Sequence, residues 1–230
     1  MTPRLLSALL LDLDGTLIDS EAIHAEGIAR FLAEHGIALD ERERAFVIGH
    51  AWQEIHAHLR VAERLGLDLP ALQRGSIAAK ERMFAEGVRI PALAGAVELV
   101  HEVADAGVPV AIVSGSCRAE IEHALEGLGF AARLAFYLGA EDYARGKPAP
   151  DGYLAAASRL GASPARCAVI EDSAAGIAAA LEAGMRVLAT SACNPPPGVV
   201  GHQDQRGAHR VVAGLAGVGL ADLIALMEGA

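Results

Sequence analysis

Hydrophobic and polar positions alternate along this chain in two regimes. The first strand is predicted over Leu5 to Leu11, whose apolar run, Ala8 to Leu11, leads into two acids one residue apart, Asp12 and Asp14, followed by Gly15 and Thr16. Unbroken apolar runs of this length read as buried parallel strands. From Asp19 the periodicity turns helical. Asp19 or Ser20 can cap a helix carrying Ile23, Ile28, Phe31 and Leu32, which Gly36 ends. No convincing strand follows until Ile90. Ala45 to Ile48 is a short apolar patch. Trp52, Ile55, Leu59 and Ala62 suggest one helix closing near Gly66, and Ala71 to Glu86 reads as another.

Beyond Pro91 the regime changes. Ala96 to Ala106 is predicted as a helix, and Val108 to Val113 as a β-branched strand ending in Ser114-Gly115-Ser116. A helix over Arg118 to Leu128, stopped by Gly129, and a short strand over Leu134 to Leu138 come next. The stretch Gly146-Lys147-Pro148-Ala149-Pro150 cannot lie mid-helix. Asp151 opens a helix to Leu160, and Cys167 to Ile170 is a strand ending in Glu171-Asp172. Ala174 to Ala183 is a helix backed by Gly184, Met185 to Ala189 a strand, and Pro195 to Gly207 a polar, Pro-rich loop. Arg210 to Val212 and Leu220 to Met227 close the chain as strand and helix. Strand–helix alternation over 91–230 argues an α/β domain, a parallel sheet covered on both faces. The first strand belongs to it. The expected domains are therefore 1–16 with 91–230, and an inserted helical block over 17–90.

At 230 residues and 53% hydrophobic, the chain can bury a sizeable core. Its formal net charge of -10 disfavours nucleic acid as a partner, which needs clustered Lys and Arg. Cys117, Cys167 and Cys193 are scattered, as in a reduced cytoplasmic protein. The N-terminus, from Met1 to Leu10, has no long signal-type apolar region. No stretch of about 18 apolar residues suggests a membrane span.

Parallel strands present their carboxyl ends along one sheet edge, where open α/β sheets bind ligands. Asp12, Asp14, Ser114, Glu171 and Asp172 should meet there, joined by Lys147 from its loop. Crowded carboxylates need a cation or a shared proton. With no His or Cys at these strand ends, an oxygen-ligated Mg²⁺ is the expected ion, and such magnesium usually also binds substrate phosphate. Ser114, the backbone beginning at Gly115, and Lys147 offer the donors and positive charge that phosphate oxygens take up.

D-L-D-G-T at 12–16, Ser114 after V-A-I-V, G-K-P-A-P-D at 146–151 and I-E-D-S-A-A-G at 170–176 resemble the four ordered motifs of the haloacid dehalogenase superfamily. The resemblance is closest to the subgroup holding phosphoglycolate phosphatase, sugar-phosphate phosphatases and β-phosphoglucomutase. It implies a Rossmann-like doubly wound parallel sheet with an inserted α-helical cap domain. It also implies roles. Asp12 would be the nucleophile that forms an aspartyl-phosphate, and Asp14 the general acid and base. Mg²⁺ would be held by Asp12, the Asp14 carbonyl and Asp172, with Glu171 as ligand or neighbour. Thr16, Ser114, Gly115 and Lys147 would bind the phosphoryl group. Asp14 favours phosphoryl transfer over carbon–halogen cleavage, whose enzymes generally lack this second acid.

The cap should then decide the substrate. The β-phosphoglucomutase loop Lys-Gly-x-Ser-Arg is matched by Ile48-Gly49-His50-Ala51-Trp52, without its two cations. Thr16 stands where that mutase has Val. Both point to a phosphatase acting on a small metabolite such as a sugar phosphate. The alternatives are a mutase of that type and a non-catalytic phosphometabolite-binding module. His24, His50 and Lys80 are candidate substrate contacts, each set against a solvated role. Trp52 can stack on a sugar or pack in the cap core. Arg118, at a helix start four residues after Ser114, is set between a substrate contact and a surface or ion-pair role. The family's oligomeric habit is monomer or homodimer.

Overall fold

A computed structural model describes residues 5–48, 50 and 52–229. The chain divides into two compact units. One comprises Met1–Asp19, Pro91–Asn194 and Gln203–Ala230, and the other Ser20–Ile90 with Pro195–His202. Leu17 to Asp19 thus belong with the first unit, and part of the Pro-rich loop belongs with the second.

In the first unit, strands β1 (Ala8–Leu11), β2 (Val110–Val113), β3 (Leu134–Leu138), β4 (Cys167–Glu171), β5 (Arg186–Thr190) and β6 (Arg210–Val212) form one sheet in the order β3-β2-β1-β4-β5-β6. Every neighbouring pair is parallel. β1, β2 and β4 are buried along their whole length, which is why they read as continuous apolar runs rather than alternating ones. The pleat sends alternate residues to opposite faces. Leu10, Ala111, Val113, Val169 and Val187 pack against α8 (Asp151–Leu160) and α9 (Ala174–Glu182) through Tyr153, Ala156, Ile177 and Ala180. The intervening residues, Leu9, Leu11, Ile112 and Ile170, are equally buried. They face the side covered by α6 (Ala96–Asp105) and α10 (Leu220–Glu228), which pack on β2, β4 and β5. A further helix of this unit, α7 (Arg118–Glu126), follows β2.

Two chain segments leave and re-enter this unit side by side. Leu93 N–H donates to the Leu17 carbonyl at 2.9 Å and Asp19 N–H to the Pro91 carbonyl at 3.3 Å, with Ile18 bridging antiparallel to Ala92. The backbone of both crossings is thereby satisfied without a longer sheet.

The helical unit holds α1 (Ser20–Glu34), α2 (Glu41–Val47), α3 (Trp52–His58), α4 (Val61–Leu65) and α5 (Leu69–Ala85). One unassigned patch takes shape here and one expectation is corrected. The patch at 45–48 is largely the last turn of a helix, begun by a capping box in which Asp40 and Glu43 serve each other's backbone N–H. The single helix expected from Trp52 to Gly66 is two. It breaks at Arg60, whose φ of 50° is left-handed and cannot continue an α-helix. Gly49 and Ala51, part of the loop compared with the mutase above, lie outside the described residues.

α1 packs on α5 at a close crossing. A Cβ on Gly75 would lie 2.0 Å from the buried Phe31 ring. Gly-to-Ala in a helix interior gains up to about 1 kcal/mol of propensity, whereas overpacking a filled core costs about 1–3 kcal/mol. The Gly75→Ala variant should therefore be less stable by about 1–2 kcal/mol. Urea unfolding, with hydrogen exchange of the α1 and α5 amides, would measure it. Unchanged or increased stability would mean that Phe31 moves aside freely.

Candidate active site

The sheet order reverses between β1 and β4, and the acids lie at that switch point. Pairing of Leu11 with Ile170 brings the residues that follow side by side, and Asp12 N–H donates to the Ile170 carbonyl at 3.0 Å. One carboxylate oxygen each from Asp12, Glu171 and Asp172 falls within 4.8 Å of the others. Close approach is possible because two neighbours lack side chains. A Cβ on Gly15 (φ 77°) would sit 2.2 Å from Asp172 Oδ2, and one on Gly176 only 1.7 Å from Glu171 Oε1.

Lys147 reaches this group from the loop before α8. Its Nζ donates to Asp12 Oδ1 at 2.5 Å and to Glu171 Oε1 at 2.6 Å. Glu171 is fully buried and its oxygens are well supplied with donors. Oε1 also accepts from the buried Tyr153 hydroxyl at 2.9 Å. Oε2 accepts from Asp172 N at 3.0 Å, Ser173 N at 2.9 Å and Ser173 Oγ at 2.9 Å. Glu171 is therefore organised to hold Lys147 and the turn after β4.

Asp14 faces the end of β2. Its Oδ2 accepts from Ser116 Oγ at 2.7 Å and from Ser114 Oγ at 3.3 Å, while Ser116 N–H donates to Ser114 Oγ at 3.0 Å. Ser114 is buried and its carbonyl accepts from Tyr143 Oη at 2.6 Å. Gly115 is exposed at this turn. Thr16 is buried, and its Oγ1 has no hydrogen-bond partner. Sequence reasoning missed Ser116, Tyr143 and Tyr153. Ser116 is two residues from a named position, but the tyrosines carry only the signal of helix or loop packing.

The electrostatics describe a site short of positive charge. Asp12, Asp14, Glu171 and Asp172 share one nearby ammonium. Burial raises the Asp12 pKa well above the ordinary carboxylate range. Lys147 opposes that rise, and Glu171, Asp172 and Asp14 reinforce it. Asp172 is pushed up to about 7 by burial and by Glu171. Burial also opposes the charge on Lys147, but Asp12, Tyr153 and Glu171 outweigh it and raise the ammonium's pKa well above its ordinary value. Glu171 is buried too, yet Lys147 and the Ser173 donors hold it below its usual value. An oxygen-only donor set with excess negative charge suits a hard divalent cation such as Mg²⁺.

The other candidates lie in the helical unit. His24 on α1 meets the Trp52 ring edge-on at 4.7 Å, and Trp52 packs against the unit's apolar core. The His50 ring stacks on Phe46 at 3.7 Å, and His58 stacks on Phe46 at 3.6 Å. Lys80 lies half-buried on α5. Arg118, back in the α/β unit, pairs with Asp142.

Comparison with known proteins gives a consistent result. Residues 6–184 match the model of the haloacid dehalogenase-like hydrolases. Hexitol phosphatase A of Escherichia coli is 37% identical over 185 residues, 80% of this chain and 82% of that protein. The bifunctional riboflavin kinase/FMN phosphatase of Arabidopsis thaliana is 34% identical over 81% of this chain, and the chain spans about half of that enzyme's length, 48%. A haloacid dehalogenase family hydrolase from Deinococcus radiodurans, solved with bound phosphate and sodium, superposes with a TM-score of 0.70 at 31% identity. The match covers 96% of this chain and 97% of that one.

The raised Asp172 pKa has a signed consequence for the metal-free protein. Between the unfolded value, about 4, and the folded value, about 7, the folded state holds a proton that the unfolded state has lost. Stability from this group is therefore greatest at low pH and falls as pH rises through that window. In EDTA, Asp172→Asn should be more stable than wild type at pH 8, by about 1–2 kcal/mol after discounting for solvent screening. The difference should shrink towards pH 5. Urea melts across pH 5–8 test this, and a difference independent of pH would contradict it.

Proposed function

The chain belongs to the haloacid dehalogenase-like hydrolases, and we propose that it is a magnesium-dependent phosphatase hydrolysing a small phosphomonoester, most simply a sugar phosphate. The observation that carries this reading is the Asp12 carboxylate, held on one oxygen by Lys147 at the sheet's switch point with a second acid, Asp14, two residues on. The relatives' activities as named phosphatases support the same reaction class.

In this reading Asp12 attacks phosphorus and the bond from phosphorus to the ester oxygen breaks. Asp14 gives a proton to the departing alkoxide, leaving an aspartyl-phosphate on Asp12. Asp14 then takes a proton from water as it attacks phosphorus, which releases phosphate and restores Asp12. Ser114, the Gly115 backbone, Lys147 and Thr16, whose buried hydroxyl has no partner of its own, bind the phosphoryl oxygens. Lys147 also favours the ionised form of Asp12 against the effect of burial. Mg²⁺, held by Asp12, Asp172 and the Asp14 carbonyl, would neutralise charge on the transferring group. Glu171 acts beside it by holding Lys147. We assign His24, His50 and Lys80 of the inserted unit, the cap in this reading, to the distal part of the substrate. The protein would work in the cytoplasm as a monomer or homodimer.

A panel of phosphorylated sugars, hexitols and nucleotides should release phosphate with Mg²⁺ and not in EDTA. Asp12→Asn should lower kcat at least about 10⁴-fold with the fold intact. Magnesium-dependent turnover retained in Asp12→Asn would sink the mechanism. Interconversion of hexose 1- and 6-phosphates without release of phosphate would favour a mutase, and binding without turnover a non-catalytic module.

A further inference from the structure

The turn that carries Asp172 is gripped from outside the motif residues. Gln205 is a buried polar side chain, 6% exposed, in the segment that returns to the sheet before β6. Its Nε2 donates to the Asp172 carbonyl at 2.6 Å and to the Thr190 carbonyl at 2.7 Å. One carboxamide thereby ties the turn after β4 to the end of β5. Gln203, two residues earlier, accepts through Oε1 from Ala174 N–H at 3.2 Å. That amide is the first of α9 and has no partner within its own helix. Gln203 is itself pinned. Its N–H donates to Asn194 Oδ1 at 2.8 Å and its carbonyl accepts from Asn194 Nδ2 at 2.9 Å. Asp204, between the two glutamines, points out and pairs with Arg206.

The placement of Gln205 has a cost. A buried carboxamide is unfavourable unless its polar atoms are bonded, and an apolar side chain of similar length would fill the space without that penalty. What the amide provides in return is fixed geometry at two carbonyls, one of them on the residue whose carboxylate joins Asp12 and Glu171. Asp172 N–H is already held by Glu171 Oε2. With its carbonyl held by Gln205, the peptide groups on both sides of the Asp172 Cα are fixed, and so is the direction in which its side chain leaves.

We infer that Gln205, supported by Gln203, is a positioning residue that aims the Asp172 carboxylate for metal binding. The inference rests on the reading of Asp172 as a metal ligand. Outer partners of metal ligands typically contribute about 10–100-fold to metal affinity. Gln205→Met keeps length and removes both donors. Gln203→Met, at a half-buried position, removes the acceptor for Ala174.

The test is direct titration of full-length, EDTA-stripped protein with Mg²⁺ by calorimetry, beside thermal melting in EDTA and phosphate release at saturating metal. Wild type should bind magnesium. Gln205→Met should bind about tenfold or more weakly and Gln203→Met by a smaller factor. Phosphate release should be recovered in both variants at raised Mg²⁺. An unchanged magnesium Kd in Gln205→Met, with or without a lowered melting temperature in EDTA, would overturn the inference and leave the clamp a stability element. Should Gln205→Met not fold, Gln203→Met decides on the same readout: weaker binding supports the inference and equal binding overturns it. Absence of magnesium binding by the wild-type protein would instead remove the metal reading itself, and this inference with it.

Discussion

The structure of the site depends on one buried ammonium. Lys147 stands between Asp12 and Glu171, within hydrogen-bonding distance of both. Charges this far from water are costly, and mutual attraction offsets the cost only where the remaining lone pairs and protons are also satisfied. Glu171 meets that condition, with Lys147, Tyr153, Ser173 and two backbone N–H groups around it. Asp12 and Asp172 do not. Their raised pKa values follow from being buried beside an acid whose charge is fully supported. Glu171 is thus the settled member of the cluster, and the other two are left for a cation.

That arrangement constrains the backbone around it. Glu171 can be enclosed only if α9 starts almost against it, which is why Gly176 follows in the first turn of that helix. Asp172 can turn towards Asp12 only if the first acid loop passes close by, which Gly15 permits. The same closeness leaves carbonyls and amides to be satisfied away from water. Gln205 and Gln203, Tyr143 on the Ser114 carbonyl, and the paired segments at 17–19 and 91–93 do this work.

The strands and the acids at their ends were legible because each is a local pattern. Apolar runs stop at polar residues, and parallel topology brings the stops to one edge. The partners that orient those acids were not legible, because their bonds join residues far apart in sequence. Ser116 meets Asp14 across about a hundred positions, and Gln205 reaches back past a helix and a strand to Asp172. Tyr153 sits at helical spacing among apolar residues and reads as core, which it is, apart from its hydroxyl. In the helical unit the Asp40–Glu43 capping box was present as a sequence signal, yet the apolar count alone concealed it. The break at Arg60 carries no turn residue that would announce it.

Charge also sets an order on the proposed chemistry. With its one lysine already shared by Asp12 and Glu171, the edge of the sheet offers a phosphate dianion little free positive charge beyond the hydroxyls and helix amides after β2. Neutral donors contribute only about a kilocalorie each, far less than a divalent cation can. A divalent cation on Asp12 and Asp172 reverses the local sign and consumes the two acids whose ionisation burial resists. In the proposed reading the metal must therefore come before the substrate. The strength of phosphate binding then depends on how firmly the Asp172 turn is held, which connects Gln205, outside every motif, to the first step of the reaction.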